Sequence, residues 1–283
     1  MKATGFDFGH EPNAQIHSVR ALMFHLAALE SELVGTVFTG KLHFARVTGS
    51  TNSDAIAAAR DGAPHGSVFL ADEQLAGRGR GGHGWISVTG EGLYVSVLFR
   101  PQIPASRLPL LPLAAGLAAA EAIRAVSGLI VDLRWPNDLL VGPRKTGGIL
   151  VESQTNASAV TFAIAGIGIN VHQRTSPPGL ATPGTSLDLE TGKTISRQTL
   201  LVALLKSLER EASALNDASW AATIAVRLEQ ASTWIRGRNV EVHGPQTCTG
   251  VTAGLDEHGF LRVATASGLV TVQTGGLRAV EKN

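Results

Sequence analysis

Residues 74–85 read Gln74-Leu75-Ala76-Gly77-Arg78-Gly79-Arg80-Gly81-Gly82-His83-Gly84-Trp85. Its five glycines lack a Cβ, so this backbone can bring its N–H groups close to a ligand. Arg78 and Arg80 carry planar guanidinium groups that suit carboxylate and phosphate oxygens. Trp85 ends the stretch with a large apolar side chain. We interpret residues 74–85, called the lid below, as a cover that closes over an anionic small molecule.

The composition is that of a globular protein, with 283 residues of which 44% are hydrophobic and 17% are charged. This length predicts one large domain and one small domain. The net charge of +1 provides no strong field that would attract nucleic acid or a membrane. The single cysteine, Cys248, excludes an intrachain disulfide framework and fits a reducing compartment. The apolar run at residues 21–29 is too short to span a bilayer, and we expect a cytoplasmic protein.

Before the lid, the hydrophobic pattern predicts a tail at residues 1–12 and one amphipathic helix at residues 13–33. A DNA-binding helix-turn-helix domain needs two further helices. The sequence predicts none between this helix and the first strand at residues 42–47, so it does not predict such a domain. The polar segment Gly49-Ser50-Thr51-Asn52 then leads into an alanine-rich helix. A buried-type strand at residues 67–71 runs into the lid.

After the lid, strand and helix patterns alternate along the chain. We predict strands at residues 85–88, 93–99, 130–134, 139–141, 145–152 and 160–171, and helices at residues 107–126, 196–215 and 219–229. Pro136 blocks a continuous strand where it stands. From residue 237 the pattern changes to short strands at residues 239–242, 248–255, 260–265 and 269–273, separated by turns that contain glycine. Such spacing is typical of a small β-barrel of SH3-like size.

Several motifs, taken in order, resemble the biotin protein ligase family. They are the Gly-Arg-Gly-Arg lid with Trp85, then Trp135-Pro136-Asn137-Asp138, then Lys145-Thr146-Gly147-Gly148-Ile149-Leu150. Gly49-Ser50-Thr51-Asn52, Gly168-Ile169-Asn170 and Gly275-Gly276-Leu277-Arg278 fit as well, so the resemblance covers residues 42–280. Each motif alone is weak, whereas the ordered set is specific. Two departures are visible, because Arg134 stands where many members have lysine, and Gly81 and His83 stand where some have arginine.

The resemblance implies an α+β fold, in which helices pack on a mixed, largely antiparallel sheet and a small SH3-like β-barrel follows. We therefore expect a tail and helix at residues 1–40, a catalytic domain at residues 41–235 and the barrel at residues 236–283. Some members carry an N-terminal DNA-binding domain, and we expect none in this sequence, which predicts a ligase with no repressor role. The family often forms homodimers, and the oligomeric state of this chain stays open.

The activity implied by the resemblance has two steps. Biotin reacts with ATP to form biotinyl-5′-AMP and pyrophosphate, and a lysine of a biotin carboxyl carrier protein then takes the biotin. Both reactants of the first step are anions, so the site needs fixed cations and N–H donors. Arg78, Arg80 and Lys145 are the candidates for the cations. Asp138 is a metal ligand, a residue that positions lysine, or a base for the acceptor amine.

The candidate site residues fall into overlapping groups. The catalytic candidates are Lys145, Arg80 and Asp138. The biotin-binding candidates are Ser50, Thr51, Asn52, Gln74, Gly77, Arg78, Gly79, Arg80, Trp85, Lys145 and Gly148. The nucleotide-binding candidates are Arg80, Asn137, Lys145, Asn170 and Arg278. Mg²⁺ is expected to bind through the phosphates of ATP, with Asp138 as the one protein ligand under consideration.

Other interpretations compete with this one. The glycines of the lid also satisfy a dinucleotide-binding pattern, which requires a helix directly behind them. An Arg-Gly segment can belong to an RNA-binding tract, and a nucleic-acid module would use Arg78, Arg80 and the barrel. The segment Ser50-Thr51-Asn52-Ser53 can serve as a plain helix N-cap. A ligase for lipoate or another carboxylate has the same type of fold.

Overall fold

The computed structural model describes residues 24–156, 159–176 and 179–280. The predicted tail at residues 1–12 and the first part of the predicted N-terminal helix lie outside the described residues. The described part of that helix is α1 (Leu26–Glu32). Leu29 and Leu33 are buried there in the main hydrophobic core, as the spacing of apolar residues predicts.

A mixed, largely antiparallel sheet forms the centre of the molecule, which confirms the predicted fold class. Its strands are β1 (Leu42–Thr48), β2 (Val68–Gln74), β3 (Gly92–Phe99), β4 (Asp132–Arg134), β5 (Asp138–Val141), β6 (Arg144–Asn156) and β7 (Ala159–Asn170). Their order is β1-β2-β3-β7-β6-β5-β4, in which β1 and β2 are parallel and all other neighbours are antiparallel. Every residue of β3 is buried, because helices cover both faces of the sheet at this point.

The predicted strand at residues 85–88 is wrong. The segment touches β2 through one bridge, between Gln74 and Ser87, and carries no ladder. Ile86 and Val88 are exposed while Ser87 between them is buried. The apolar residues therefore face outward, and burial does not drive the segment into the sheet.

Helices pack on both faces of the sheet. The helices that follow α1 in the described residues are α2 (Thr51–Arg60), α3 (Leu110–Ser127), α4 (Leu187–Thr191), α5 (Arg197–Ala214) and α6 (Ala218–Gln230). Buried alanines of α2 pack on one face, and α3 covers the other face with α5 behind it. Helix α3 begins later than predicted, because residues 105–107 form a 3-10 turn and Pro109 occupies the N-cap. It is long and apolar enough to cross a membrane, but more than half of it is buried in the core.

A second, smaller sheet follows, with strands β8 (Arg236–His243), β9 (Cys248–Leu255), β10 (Leu261–Thr265), β11 (Gly268–Val272) and β12 (Gly276–Ala279). It is antiparallel, with the order β11-β10-β9-β8-β12. Because β11 and β12 are its two edges, the sheet is open, so the predicted barrel is confirmed only as a small antiparallel sheet. The sheet is joined to the main core by Trp135, whose indole Nε1 donates to the carbonyl of Gly259 at 3.0 Å.

A substitution at Leu204 on α5 tests how much the buried side chains of this helix contribute to the free energy of unfolding. Its side chain is fully buried. We expect Leu204→Ala to lower the free energy of unfolding by about 2–5 kcal/mol, because it leaves a cavity. Urea unfolding followed by circular dichroism measures this. Val226→Ala on α6, where the side chain is exposed, is the control, and an equal loss in both variants would contradict the expectation.

Candidate functional site

A large cavity of about 1230 Å³ lies between the lid, one end of the central sheet and the turn between β11 and β12. All the predicted site residues except Gly77 line it: Ser50, Thr51, Asn52, Gln74, Arg78, Gly79, Arg80, Trp85, Asn137, Asp138, Lys145, Gly148, Asn170 and Arg278. Gly77 lies directly behind the wall, packed so closely that a Cβ there would collide with the carbonyl of Trp85. The sequence motifs thus meet in one place, although they are far apart along the chain.

The lid folds back on itself as two arms. The Gly79 N–H donates to the carbonyl of His83 at 2.6 Å, and the Trp85 N–H donates to the carbonyl of Gly77 at 2.8 Å. At the tip, Gly81 and Gly82 have φ of 68° and 81°, a region that favours glycine. No helix follows the glycines in residues 83–91, which removes the dinucleotide-binding interpretation.

Two glycines of the central sheet form the floor on which Trp85 rests. A Cβ on Gly168 would lie 2.6 Å from the indole Cε2 of Trp85, and one on Gly148 would lie 3.4 Å from its Cζ3. The indole therefore rests on β7 only because Gly168 lacks a side chain, whereas a Cβ on Gly148 would make an ordinary contact with the same ring. This contact brings the end of the lid onto the sheet.

A buried polar network forms one wall of the cavity. The Oε1 of Gln74 accepts from the backbone N–H of Thr51 at 2.9 Å and from its Oγ1 at 3.0 Å. The Nε2 of Gln74 donates to the Oγ of Ser87, and the Oγ of Ser96 lies within hydrogen-bond distance of both Thr51 Oγ1 and Asn52 Oδ1. Ser50 stands at the N-cap of α2, but its side chain makes no capping bond. The side chains of Thr51 and Asn52 bond to Gln74 and Ser96, so the structure does not support the plain N-cap interpretation of this segment.

Asp138 holds two cations at the corner made by β4, β5 and β6. Its Oδ1 lies 2.5 Å from Lys145 Nζ, and its Oδ2 lies 2.6 Å from Arg134 Nη2. Burial raises the pKa of the Asp138 carboxyl, but the charges and hydrogen bonds of Lys145 and Arg134 outweigh it and hold that pKa below its usual range. The carboxylate is therefore ionised and fully engaged, which suits a residue that positions Lys145 better than it suits a base.

The two arginines of the lid have different kinds of partner. Arg78 Nη2 lies 2.6 Å from the Oε2 of Glu152 on β6, so its charge is compensated. Arg80 donates to the carbonyl of Gly275 and to Thr274 Oγ1, both at 2.6 Å. These acceptors are neutral, and within the described ranges no carboxylate lies in salt-bridge distance of Arg80. Burial lowers the pKa of Arg80, and Asp138 opposes that shift.

The two asparagines of the motifs support the backbone of the site. The Nδ2 of Asn137 donates to the carbonyl of Ile149 at 2.9 Å, and the Ile149 N–H donates to the carbonyl of Asn137. The Nδ2 of Asn170 donates to the carbonyl of Thr185 at 3.0 Å. Both side chains nevertheless line the cavity, and so does the exposed Arg278.

Sequence reasoning missed His243 and Thr274, which line the cavity, and Glu152, which binds Arg78 of the lid. Glu152 stands at the end of a predicted strand, where a charged residue is ordinary. His243 and Thr274 belong to the C-terminal sheet, and their approach to the lid depends on contacts between the two sheets. Arg134 departs from the family motif, and its place four residues before Asp138 is the one signal that the sequence offers for their ion pair.

The cavity carries a positive balance of charge. Its lining contains the cations Arg78, Arg80, Arg134, Lys145 and Arg278, against the carboxylates Glu91 and Asp138. Such a cavity attracts and stabilises anionic ligands. Among the residues that the structure describes, no three His, Cys, Asp or Glu side chains group as a metal site.

Comparisons with known proteins agree with the motifs. The model of the "Biotin/lipoate A/B protein ligase family" matches residues 44–170. The chain is 34% identical to a biotin–[acetyl-CoA-carboxylase] ligase of Mycobacterium tuberculosis over 234 residues, which cover 81% of this chain and 85% of that protein. It is 38% identical to the bifunctional ligase/repressor BirA of Bacillus spizizenii over 184 residues, 64% of this chain. That match spans 55% of the Bacillus protein, about half its length.

A solved structure gives a similar result. The biotin protein ligase of Aquifex aeolicus in complex with biotin and ATP superposes with a TM-score of 0.73 and 29% identity. The superposition covers 85% of this chain and all of the Aquifex chain. The two folds are therefore similar over most of this chain.

Gly168 tests the contact between the lid and the floor. We expect Gly168→Ala to push the indole of Trp85 off the sheet, because the added methyl group would lie inside the ring's contact distance. Nuclear magnetic resonance of nitrogen-labelled tryptophan reports this as a shift of the Trp85 indole signal, assigned with Trp85→Phe. Gly116→Ala on α3 is the control, since its Cβ would lie 3.6 Å from the nearest atom. An unmoved Trp85 signal in Gly168→Ala would rule out the floor contact.

The lowered pKa of Asp138 predicts how the stability of the protein depends on pH. Its pKa is lowered in the folded state, so its contribution is complete above the unfolded pKa of about 3.9 and is lost as the pH falls through the folded value. We expect Asp138→Asn to cost about 3 kcal/mol near neutral pH, since two cations lose their partner. The difference from the natural protein should shrink below pH of about 4.

Urea unfolding over a series of pH values measures this difference. Asp61→Asn, at an exposed position after α2, removes the same charge and is the control. A difference between Asp138→Asn and the natural protein that stays constant down to the acid limit would show that the ion pairs do not depress the pKa of Asp138.

Proposed function

The chain belongs to the biotin protein ligase family, and from this premise we propose that it is an ATP-dependent biotin protein ligase. It would activate biotin as biotinyl-5′-AMP, release pyrophosphate, and transfer the biotin to a lysine of a biotin carboxyl carrier protein. The observation that carries the proposal is the positively charged cavity under the lid, in which Arg80, Lys145 and Arg134 meet. It matches a reaction whose two substrates are both anions.

In the first step, an oxygen of the biotin carboxylate attacks the α-phosphorus of ATP, and the bond to pyrophosphate breaks. Negative charge gathers around the phosphorus, so cations fixed in advance stabilise the transition state. Lys145 is the candidate that bridges the carboxylate and the α-phosphate, and Asp138 holds its Nζ in place. Arg80 adds a second positive charge, held on neutral acceptors. Asp138 then serves as a positioning residue for Lys145 and Arg134.

The polar wall supports biotin over lipoate. The ureido ring of biotin has two N–H donors and a carbonyl acceptor, and Thr51, Gln74 and Ser87 provide both kinds of partner. The dithiolane ring of lipoate has neither N–H groups nor a carbonyl. Ser50, Asn52, Gly77, Arg78, Gly79 and Gly148 complete the proposed biotin site around Trp85.

The nucleotide is proposed to bind near Asn137, Asn170 and Arg278, which line the same cavity. Mg²⁺ is proposed to enter with the phosphates of ATP, as part of the substrate. Asp138 does not fit a resident Mg²⁺, because both of its carboxylate oxygens already bind cations. We therefore assign no protein ligand to the metal.

The remaining proposals concern domains, partners and location. We propose residues 41–235 as the catalytic domain and residues 236–283 as an SH3-like domain. The second domain contributes to the site because its Thr274 and Gly275 accept hydrogen bonds from Arg80 of the lid. These hydrogen bonds favour a role of the C-terminal domain in the ligase reaction over a separate role in binding nucleic acid. The acceptor is proposed to be a carboxyl carrier domain and the location the cytoplasm, while the oligomeric state stays open.

The central test is incubation of the protein with ATP, labelled biotin and a purified biotin carboxyl carrier domain. We expect label on the acceptor lysine, and release of pyrophosphate that depends on biotin. Lipoate in place of biotin is the control for substrate class. Labelling with lipoate and not with biotin would replace the proposal by a lipoate ligase.

Lys145 is the residue on which the first step depends. We expect Lys145→Ala to slow adenylate formation by about 10²–10³-fold, the usual effect of removing one preorganised donor. Single-turnover release of pyrophosphate measures this step apart from transfer. Lys206→Ala, at an exposed position of α5, is the control for the loss of a lysine. Normal adenylate formation by Lys145→Ala would remove Lys145 from the mechanism.

A further inference from the structure

The first arm of the lid is fixed to the sheet by one ion pair. Arg78 Nη2 lies 2.6 Å from the Oε2 of Glu152, and both side chains are partly exposed. Glu152 belongs to β6, at the point where this strand leaves the buried part of the sheet. Neither the motifs nor the reaction chemistry selects Glu152.

The carboxylate of Glu152 is itself held from behind. The Nδ2 of the buried Asn52 donates to the same Oε2 at 2.8 Å, and to the carbonyl of Leu150 at 3.3 Å. The amide of Asn52 is oriented at its other end, where Ser96 Oγ lies 2.6 Å from its Oδ1. A Cβ on Gly166 would collide with that Oδ1, so the amide fits tightly against β7. Arg78 thus docks on an acceptor whose position is already determined.

We propose that Glu152 is a positioning residue for the ligase reaction, which holds Arg78 and with it the first arm of the lid. The inference rests on the proposed function and adds a role within it. Arg78 acts through this ion pair and not as a cation on the phosphate, whereas Arg80, with its neutral partners, keeps its charge for the substrates. The two arginines of the same motif therefore have different tasks.

The position of the Arg78–Glu152 ion pair predicts that it affects the KM for biotin. Arg78 follows Gly77, which packs against Gln74, Ser87 and Trp85 at the polar wall of the cavity. A lid whose first arm is loose leaves this wall incomplete, so biotin binds more weakly and the adenylate escapes more easily. The cations next to the reacting atoms, Lys145 and Arg80, keep their own partners. The rate of adenylation at saturating substrate should therefore change little.

A double-mutant cycle on the full chain tests the proposal. Glu152→Ala and Arg78→Ala should each raise the KM for biotin by about three- to tenfold, as expected for one partly exposed charged contact. The double variant should be no worse than either single variant, because both remove the same interaction. Glu152→Gln keeps an oxygen acceptor for Asn52 and loses the charge, so it should resemble Glu152→Ala in KM and the natural protein in thermal stability.

Limited digestion with trypsin gives a readout that is independent of activity. We expect faster cleavage after Arg80 in Glu152→Ala, Glu152→Gln and Arg78→Ala than in the natural protein. Glu121→Ala is the matched control, since it breaks the exposed pair of Glu121 with Arg210 and leaves the lid alone. Its KM and its digestion pattern should match those of the natural protein.

Three outcomes would overturn the proposal. The first is that Arg78→Ala slows adenylation at saturating substrate by about 10²-fold while Glu152→Ala does not, which would place Arg78 on the phosphate. The second is that the effects of the two single variants on KM multiply in the double variant. The third is that trypsin cuts the lid at the natural rate in every variant. A natural protein that fails to form biotinyl-5′-AMP would instead refute the proposed function, and the digestion would still report on the anchor.

Discussion

The carboxylate of Asp138 keeps two positive side chains together at one corner of the sheet, and the rest of the site is built around that corner. Lys145 and Arg134 would repel each other without the anion between them. Held there, Lys145 lies 5.6 Å from the ring centre of Trp85 in the lid, and Arg134 lies 5.1 Å from that of Trp234. One partly buried anion therefore relates the strands, the lid and the start of the C-terminal sheet to each other.

The lid is attached at two places by side chains of the same type. Arg78 meets a carboxylate of the central sheet, whereas Arg80 meets a carbonyl and a hydroxyl of the turn before β12. The carboxylate neutralises the positive charge of Arg78, whereas the neutral partners of Arg80 leave its positive charge able to interact with an anionic substrate. The lid therefore combines a charge-compensated contact at Arg78 with a cation at Arg80 whose charge no carboxylate neutralises. It also makes the C-terminal sheet part of the site, since the turn that binds Arg80 belongs to it.

Much of the fold follows from patterns that sequence reasoning handles well. The central strands and the three longest helices lie close to their predicted positions, because buried strands and amphipathic helices have distinct periods. The errors have local causes. Residues 85–88 look like a strand but point their apolar side chains outward, and the last strand, β12, was noted only as a motif. The closure of the small sheet into a barrel depends on strand partners, which periodicity does not report.

The sequence by itself determined the materials of the site: the glycines that permit close approach, the cations, and the order of the motifs that indicates the family. Those are properties of single residues and short segments. Only the tertiary structure decided which groups are partners, since Asn52 and Glu152 are separated by 100 residues and Arg80 and Thr274 by 194. The charge that a side chain offers to a ligand depends on these partners. Sequence therefore predicts that Arg78, Arg80 and Lys145 share a site, and the fold determines that each is held differently.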